Sequence, residues 1–250
     1  MTDEHLADVL ILGGSFTGIE LVRQLRRDRR GRALDIVVVD RQVEHPYIPL
    51  GHELVTQRMP LGLAHDTILA SDRFVAARPP ARWVQGEIVG FDPSTHTVTL
   101  VDGRTFSGRF VVVALGSEVR PPASLPGAER MLAYKFATQL AQAHGALQRL
   151  LEGEGETPTI VVAGGGISGV EIAGELAHLT KARPLGWRAP KVVLVHGGER
   201  LLPDLTARAG KKAAAALRAQ GVELHLQTRL LGVDERSAIL RTPAGDRTLA

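Results

Sequence analysis

Residues 159–169, TIVVAGGGISG, decide how this sequence folds. The β-branched run 159–163 leads into Gly164-Gly165-Gly166-Ile167-Ser168-Gly169, a complete G-x-G-x-x-G. Residues 170–179 then continue with helical spacing and carry Glu171 and Glu175. In such a unit the first glycine permits a tight turn, the second lets a pyrophosphate approach the backbone, and the third lets helix and strand pack closely. The amides at the helix N-terminus face the phosphates. A second apolar run, KVVLV at 191–195, ends at His196 and is followed by Gly197-Gly198.

An acidic residue at that strand end ordinarily holds the adenosine ribose of NAD. His196 carries no negative charge to repel a 2′-phosphate, so this position admits NADPH, with Arg200 as the phosphate's partner. The other reading is that His196 hydrogen-bonds a ribose or faces water.

The same order occurs once earlier. Residues 8–12 (DVLIL) form a strand, Gly13-Gly14-Ser15-Phe16-Thr17-Gly18 opens a helix expected over 19–30, and DIVVV at 35–39 ends at Asp40. Asp40 is placed to accept ribose hydroxyls. Ser15 stands at the middle position, where the pattern has glycine, and its hydroxyl is small enough to face a phosphate. A glycine-rich packing turn is the alternative for this motif. The interval from Gly13 to Asp40 is wider than the usual one, and the polar stretch RRDRRGRAL at 26–34 absorbs the excess.

Between the two units the pattern changes. Residues 83–90, 96–101 and 104–106 are β-rich, with Asp102-Gly103 as a hairpin turn, and 109–115 form an apolar strand ending at Gly116. A small β-meander that returns to a central parallel strand fits this order. Pro121, Pro122, Pro126 and Gly127 mark a connection near 117–128, residues 136–151 show helical spacing, and β-rich segments follow at 222–228, 236–241 and 246–249. The expected architecture is α/β, with two Rossmann-like ββα dinucleotide-binding domains. The first, 1–120, holds the meander; the second, 121–250, is inserted into it.

Composition narrows the chemistry. The 250 residues contain no Cys, so no disulfide, Cys-ligated zinc, iron–sulfur cluster or catalytic thiol can form within them, and redox chemistry must belong to a bound cofactor. The net charge is small, 30 Lys+Arg against 27 Asp+Glu. The cluster Arg23, Arg26, Arg27, Arg29, Arg30 and Arg32 reads as a solvated helix end rather than a surface for a membrane or an acidic partner. No interleaved aromatics support nucleic-acid binding. Asp3, Glu4 and Asp8 before a short apolar run argue against a secretory signal, and no stretch approaches a membrane span, so a cytoplasmic location is expected.

These motifs resemble the two-dinucleotide-binding flavoprotein oxidoreductases, above all the type II NADH:quinone oxidoreductase and sulfide:quinone oxidoreductase branch. The resemblance implies that Gly13, Gly14, Ser15, Phe16, Thr17 and Gly18 cradle the FAD pyrophosphate, with Asp40 and the adjoining Arg41 at the FAD ribose. Ala114-Leu115-Gly116 corresponds to the family's segment near the flavin, although Leu115 replaces the usual Thr. Tyr47-Ile48-Pro49-Leu50 matches an aromatic-x-Pro-Leu stretch beside the flavin, so Pro49 is counted with it. Glu87 and Ile88 fall where backbone groups meet the adenine. Gly164, Gly166, Ile167 and Gly169 match the pyridine-nucleotide motif, whose Gly-[Val/Ile]-Glu places Glu171 close to the nicotinamide as the candidate catalytic residue. Glu171 also reads as an acid complementing the helix dipole.

The implied activity is hydride transfer from NAD(P)H to FAD, with a quinone, a ferredoxin-like protein or oxygen as acceptor. Relatives that need cysteines, the disulfide reductases and sulfide:quinone oxidoreductases, are excluded. The family continues with a strand returning to the FAD domain, a Gly-Asp motif, and a C-terminal region that makes the homodimer or membrane-surface contact. The sequence ends at Ala250 before these, so an incomplete FAD domain is expected. A redox-inactive dinucleotide-binding or assembly module, or a shortened and inactive flavoprotein, is the second reading.

Overall fold

The computed structural model describes residues 6–56, 58, 68–70, 81–119 and 121–249. The chain divides into two compact units: one runs through Tyr47 and resumes to end at Glu118, and the other takes the segment from Ile48 and everything from Val119 onward.

The first unit begins with β1 (Leu6–Leu12), α1 (Phe16–Arg27) and β2 (Ile36–Asp40). A small antiparallel pair, β3 (Glu44–Pro46) and β4 (Ile68–Ala70), precedes β5 (Arg82–Gln85), β6 (Ile88–Asp92), β7 (Thr97–Leu100) and β8 (Thr105–Val113). The main sheet has the order β5-β2-β1-β8-β7-β6. Its first four strands are parallel; β7 and β6 return antiparallel as the meander. Strands β1 and β2 are covered on both faces, which is why their sequences are unbroken apolar runs. Successive side chains feed opposite faces: Leu10, Leu12, Val37 and Val39 join Val98, Leu100 and Phe106, whereas Val9, Ile11, Ile36 and Val38 join Val22 of α1.

The sequence segments 104–106 and 109–115 merge across 107–108 into one nine-residue strand, β8, which runs from Thr105 to Val113. Gly108 makes this continuity work. A Cβ there would lie 2.7 Å from the Cβ of Leu10 on the neighbouring strand, so the glycine is a site of close strand approach, not a break.

The second unit contains α2 (Gly51–Val55), α3 (Ala137–Leu151), β9 (Thr159–Ala163), α4 (Ile167–His178), β10 (Lys191–Val195), α5 (Ala207–Ala219) and β11 (Glu223–His225). Its parallel sheet has the order β11-β10-β9. An antiparallel sheet of β12 (Arg229–Val233), β13 (Ala238–Thr242) and β14 (Gly245–Leu249) follows. In α3 the buried Leu140, Ala143, His144, Leu147 and Leu151 fall on one face at helical spacing, and the four apolar ones join Ile172, Leu176, Val192 and Leu194 in a common core.

Both motif helices start earlier than their apolar periodicity suggests, at Phe16 and Ile167, because the last glycine of each motif lies inside the first helical turn. The β-rich run 222–228 splits at Gln227, whose φ of 51° ends one strand before β12 begins. Helix α5 has no counterpart in the sequence reading. Its signals are present: an alanine-rich run behind Thr206, whose Oγ1 accepts the amide of Ala209 as an N-cap.

Candidate functional site

Each unit carries a glycine turn between a strand and a helix. In the first unit Gly13 has φ 105°, and its amide donates to the Val39 carbonyl at 2.8 Å. A side chain at Gly13 would meet the Ala114 carbonyl oxygen, and one at Gly18 would meet the Gly13 carbonyl oxygen. These two glycines are therefore fixed by backbone contact. Gly14 lies against the ring of Trp83. Ser15 occupies the N-cap position of α1, and its side chain makes no capping hydrogen bond.

Asp40 ends β2 directly beneath this turn and is buried. Its Oδ2 accepts the Gly14 amide at 2.7 Å and faces Nε2 of His45 at 3.1 Å, while Oδ1 accepts the Gln42 amide at 2.8 Å. Burial opposes its charge, but the bonds from His45, Gly14 and Gln42 outweigh that penalty and hold the carboxyl below its ordinary range. A carboxylate has about four acceptor positions, so one remains for a ribose hydroxyl.

The second turn repeats the plan with different chemistry. Gly164 has φ 116° and donates its amide to the Val195 carbonyl at 2.9 Å. Gly169 faces the Gly164 carbonyl so closely that a Cβ would sit 1.9 Å from its oxygen. Gly165 donates to Nδ1 of His196 at 3.2 Å. A Cβ at Gly166, by contrast, would meet nothing within 4 Å. This third position is the N-cap of α4, open above the helix amides, as a pyrophosphate cradle requires.

The remaining expected site residues fall as follows. Ala114 follows β8, its amide bonded to the Leu12 carbonyl at 2.7 Å; Leu115 is exposed, and Gly116 has φ 71°. Phe16 meets Tyr47 edge-on with ring centroids 5.5 Å apart, both rings partly exposed at the start of α1. Arg41 pairs with Glu118 at 2.9 Å. Glu87 is exposed with its carbonyl taken by the Val101 amide, and Ile88 packs on the core of the first unit. Pro49 lies in the exposed turn Ile48–Leu50, which belongs to the second unit. Thr17 is exposed in the first turn of α1, and Ile167 is exposed in the first turn of α4.

Glu171 points out from the first turns of α4, with Oε2 3.9 Å from Nδ1 of His52. It lines a cleft of about 340 Å3 together with His52, Arg58, Glu175 and His178. Nearby, the Tyr134 hydroxyl donates to the Ser168 carbonyl at 2.6 Å, and its phenol is pushed up to about 12 by burial and by the charge of Glu171.

Two of the expected site residues are engaged within the second unit itself. The Arg200 guanidinium bonds its own loop: Nη1 donates to the Leu202 and Leu205 carbonyls at 2.9 and 3.0 Å, and Nη2 to the Pro203 carbonyl at 2.6 Å. It staples its own loop. His196 is likewise turned inward, wedged between Gly165 and Gly198, with Nδ1 taken by an amide and Nε2 buried. It organises the turn. Sequence reasoning also passes over His45 and Trp83, which support the first turn from outside the motif. No local pattern marks either one.

The chain is 26% identical over 265 residues to the type II NADH:quinone oxidoreductase NdhA of Mycobacterium tuberculosis, an alignment covering 95% of this chain and 53% of NdhA. It is 28% identical over 164 residues to the ferredoxin–NAD(+) reductase subunit of the benzene 1,2-dioxygenase system of Pseudomonas putida, covering 64% of this chain and 36% of that one. Among solved structures, NDH2 from Plasmodium falciparum in complex with NADH superposes with a TM-score of 0.81 at 14% identity, over 98% of this chain and 53% of that one. The chain thus spans about half the length of these type II relatives. The family described as pyridine nucleotide-disulphide oxidoreductase matches residues 7–248, and the chain belongs to it.

Proposed function

We propose that this chain forms the nucleotide-binding part of a flavin-dependent NAD(P)H dehydrogenase, with FAD held by the first unit, NAD(P)H by the second, and a quinone or similar small molecule as electron acceptor. The observation that carries the reading is the paired glycine turn. In each, a strand-end side chain accepts the amide of the residue after the first motif glycine, Asp40 for Gly14 and His196 for Gly165. A small residue, Ser15 or Gly166, stands at the N-cap position of the helix above.

FAD, when bound, supplies hydride acceptance and onward electron transfer. The protein's part is positional. The amides opening α1 and α4 receive pyrophosphate oxygens, and the remaining lone pair of Asp40 receives a ribose hydroxyl. Glu171 lies in the first turns of α4, where it contributes a negative charge on the nicotinamide side. With no Cys in the sequence, no thiol of this chain relays electrons. Among the described residues no helix is long and apolar enough to cross a membrane.

The test is the visible absorbance of the purified protein supplied with FAD, before and after anaerobic NADH or NADPH. A bound flavin spectrum that bleaches on addition is expected. Failure to retain FAD overturns the proposal, and nucleotide binding without bleaching favours the redox-inactive dinucleotide-binding module.

A further inference from the structure

The cation placed at the end of β10 is one the motif does not contain. We infer that Arg229, the first residue of β12, receives the 2′-phosphate of NADPH and sets the nucleotide preference of the second unit. This rests on the proposal that the second unit binds a pyridine dinucleotide.

Three observations support the assignment. First, no carboxylate ends β10. A carboxylate there would hold the 2′-hydroxyl of NADH and repel a 2′-phosphate, but the position is His196, whose ring is turned beneath Gly165 and Gly198. Second, the Arg229 side chain runs along Gly197, the residue after His196: a Cβ at 197 would lie 3.4 Å from its Cγ and 3.6 Å from its Nε. Gly197 leaves room for the arginine stem beside the turn where an adenosine ribose would lie. Third, the two segments are tied by backbone bonds. The His196 amide donates to the His225 carbonyl at 2.8 Å, the Thr228 amide to the His196 carbonyl at 2.9 Å, and the Gln227 amide to the Gly198 carbonyl at 2.9 Å. The buried Thr228 anchors the residue just before Arg229. The stem is therefore delivered to the strand end by the fold itself.

The guanidinium is also available. Arg229 is exposed, and among the described residues no hydrogen bond or ion pair engages its head, in contrast to Arg200 with its three carbonyls. A guanidinium fork matches phosphate oxygens two at a time, a geometry a lone imidazole cannot offer. The competing group is Glu199, exposed three residues beyond His196, which would favour an unphosphorylated ribose.

The test is calorimetric titration of the protein with ADP-ribose and with its 2′-phosphate, probes that lack the nicotinamide and report binding alone. The 2′-phosphate is expected to bind roughly tenfold more tightly, and Arg229→Met to bring the two affinities together without altering that for ADP-ribose or the thermal midpoint. Equal affinities in the unaltered protein, or a preference that survives Arg229→Met, overturn the assignment. So does a preference for ADP-ribose that Glu199→Gln abolishes, which gives the position to Glu199. If neither probe binds, the dinucleotide site itself is overturned, and the assignment to Arg229 with it.

Discussion

The backbone amide of Gly165 donates to Nδ1 of His196 at 3.2 Å, so a neutral imidazole performs in the second turn the task that a carboxylate performs for Gly14 in the first. The accepting nitrogen carries no proton in this geometry, which places the ring hydrogen on the buried Nε2. His196→Ala removes the acceptor and the ring that fills the space beneath Gly198. The expected loss is about 1–3 kcal/mol of unfolding free energy, measured by urea denaturation. His196→Asp keeps an acceptor and should recover part of it; equal loss in both variants would show that the hydrogen bond contributes nothing.

Gly169 and Gly166 belong to one motif but have opposite tolerances. A methyl group at 169 collides with the Gly164 carbonyl, so Gly169→Ala is expected to cost about 1–3 kcal/mol of stability through strain. A methyl group at 166 enters open space, and the residue's φ of −76° suits alanine. Gly166→Ala should fold with less than about 1 kcal/mol lost. It should weaken dinucleotide binding roughly tenfold, about 1.4 kcal/mol, because the methyl group occupies the cradle. Parallel thermal melts and titrations separate the two effects, and an unchanged affinity in Gly166→Ala would remove the cradle from position 166.

The contrast between these glycines shows where the sequence was readable. Gly13, Gly18, Gly164 and Gly169 announce the turns because their roles are local: positive φ, or contact with a carbonyl a few residues away. Long-range partners leave no such mark. Gly108 resembles a strand breaker until Leu10 is seen beside it, and Trp83 is an ordinary β-strand aromatic until Gly14 is seen on its ring. His196 and Arg200 show the same limit at the site. Their places in the chain can be read from the motif, but the direction of each side chain depends on Gly165, Gly198 and the carbonyls of 202–205.

Asp40 couples the first turn to pH. Its carboxyl titrates below its ordinary value of 3.8, so folding favours the ionised form. The sign follows: the stabilisation is fully present above that ordinary value and is lost as pH falls from there through the lower pKa of the folded state. Asp40→Asn should flatten this part of the acid stability curve. It should also destabilise the protein near neutrality by about 1–3 kcal/mol, because an amide group must turn a donor toward Gly14, Gln42 or His45. Unfolding curves collected across the acid range check both, and an acid limb of unchanged slope in Asp40→Asn would assign the dependence to other carboxylates.

Arg200 acts on the second turn through Leu202. Leu202 has φ 53°, a left-handed conformation seldom adopted by an aliphatic residue. It is held from both sides: its amide donates to the Gly165 carbonyl at 2.7 Å, and its carbonyl accepts Nη1 of Arg200 at 2.9 Å. Removing the guanidinium leaves the strained turn with its two backbone bonds, the Leu202 amide on Gly165 and the Leu205 amide on the Leu202 carbonyl at 3.0 Å, and takes a donor from three carbonyls at once. Arg200→Ala is therefore expected to lose about 1–3 kcal/mol of stability and to increase amide exchange at Leu202 and Gly165. The ratio of affinities for ADP-ribose and its 2′-phosphate should stay unchanged, because this guanidinium faces its own loop. A ratio that collapses while the fold stays intact would return the phosphate-binding role to Arg200.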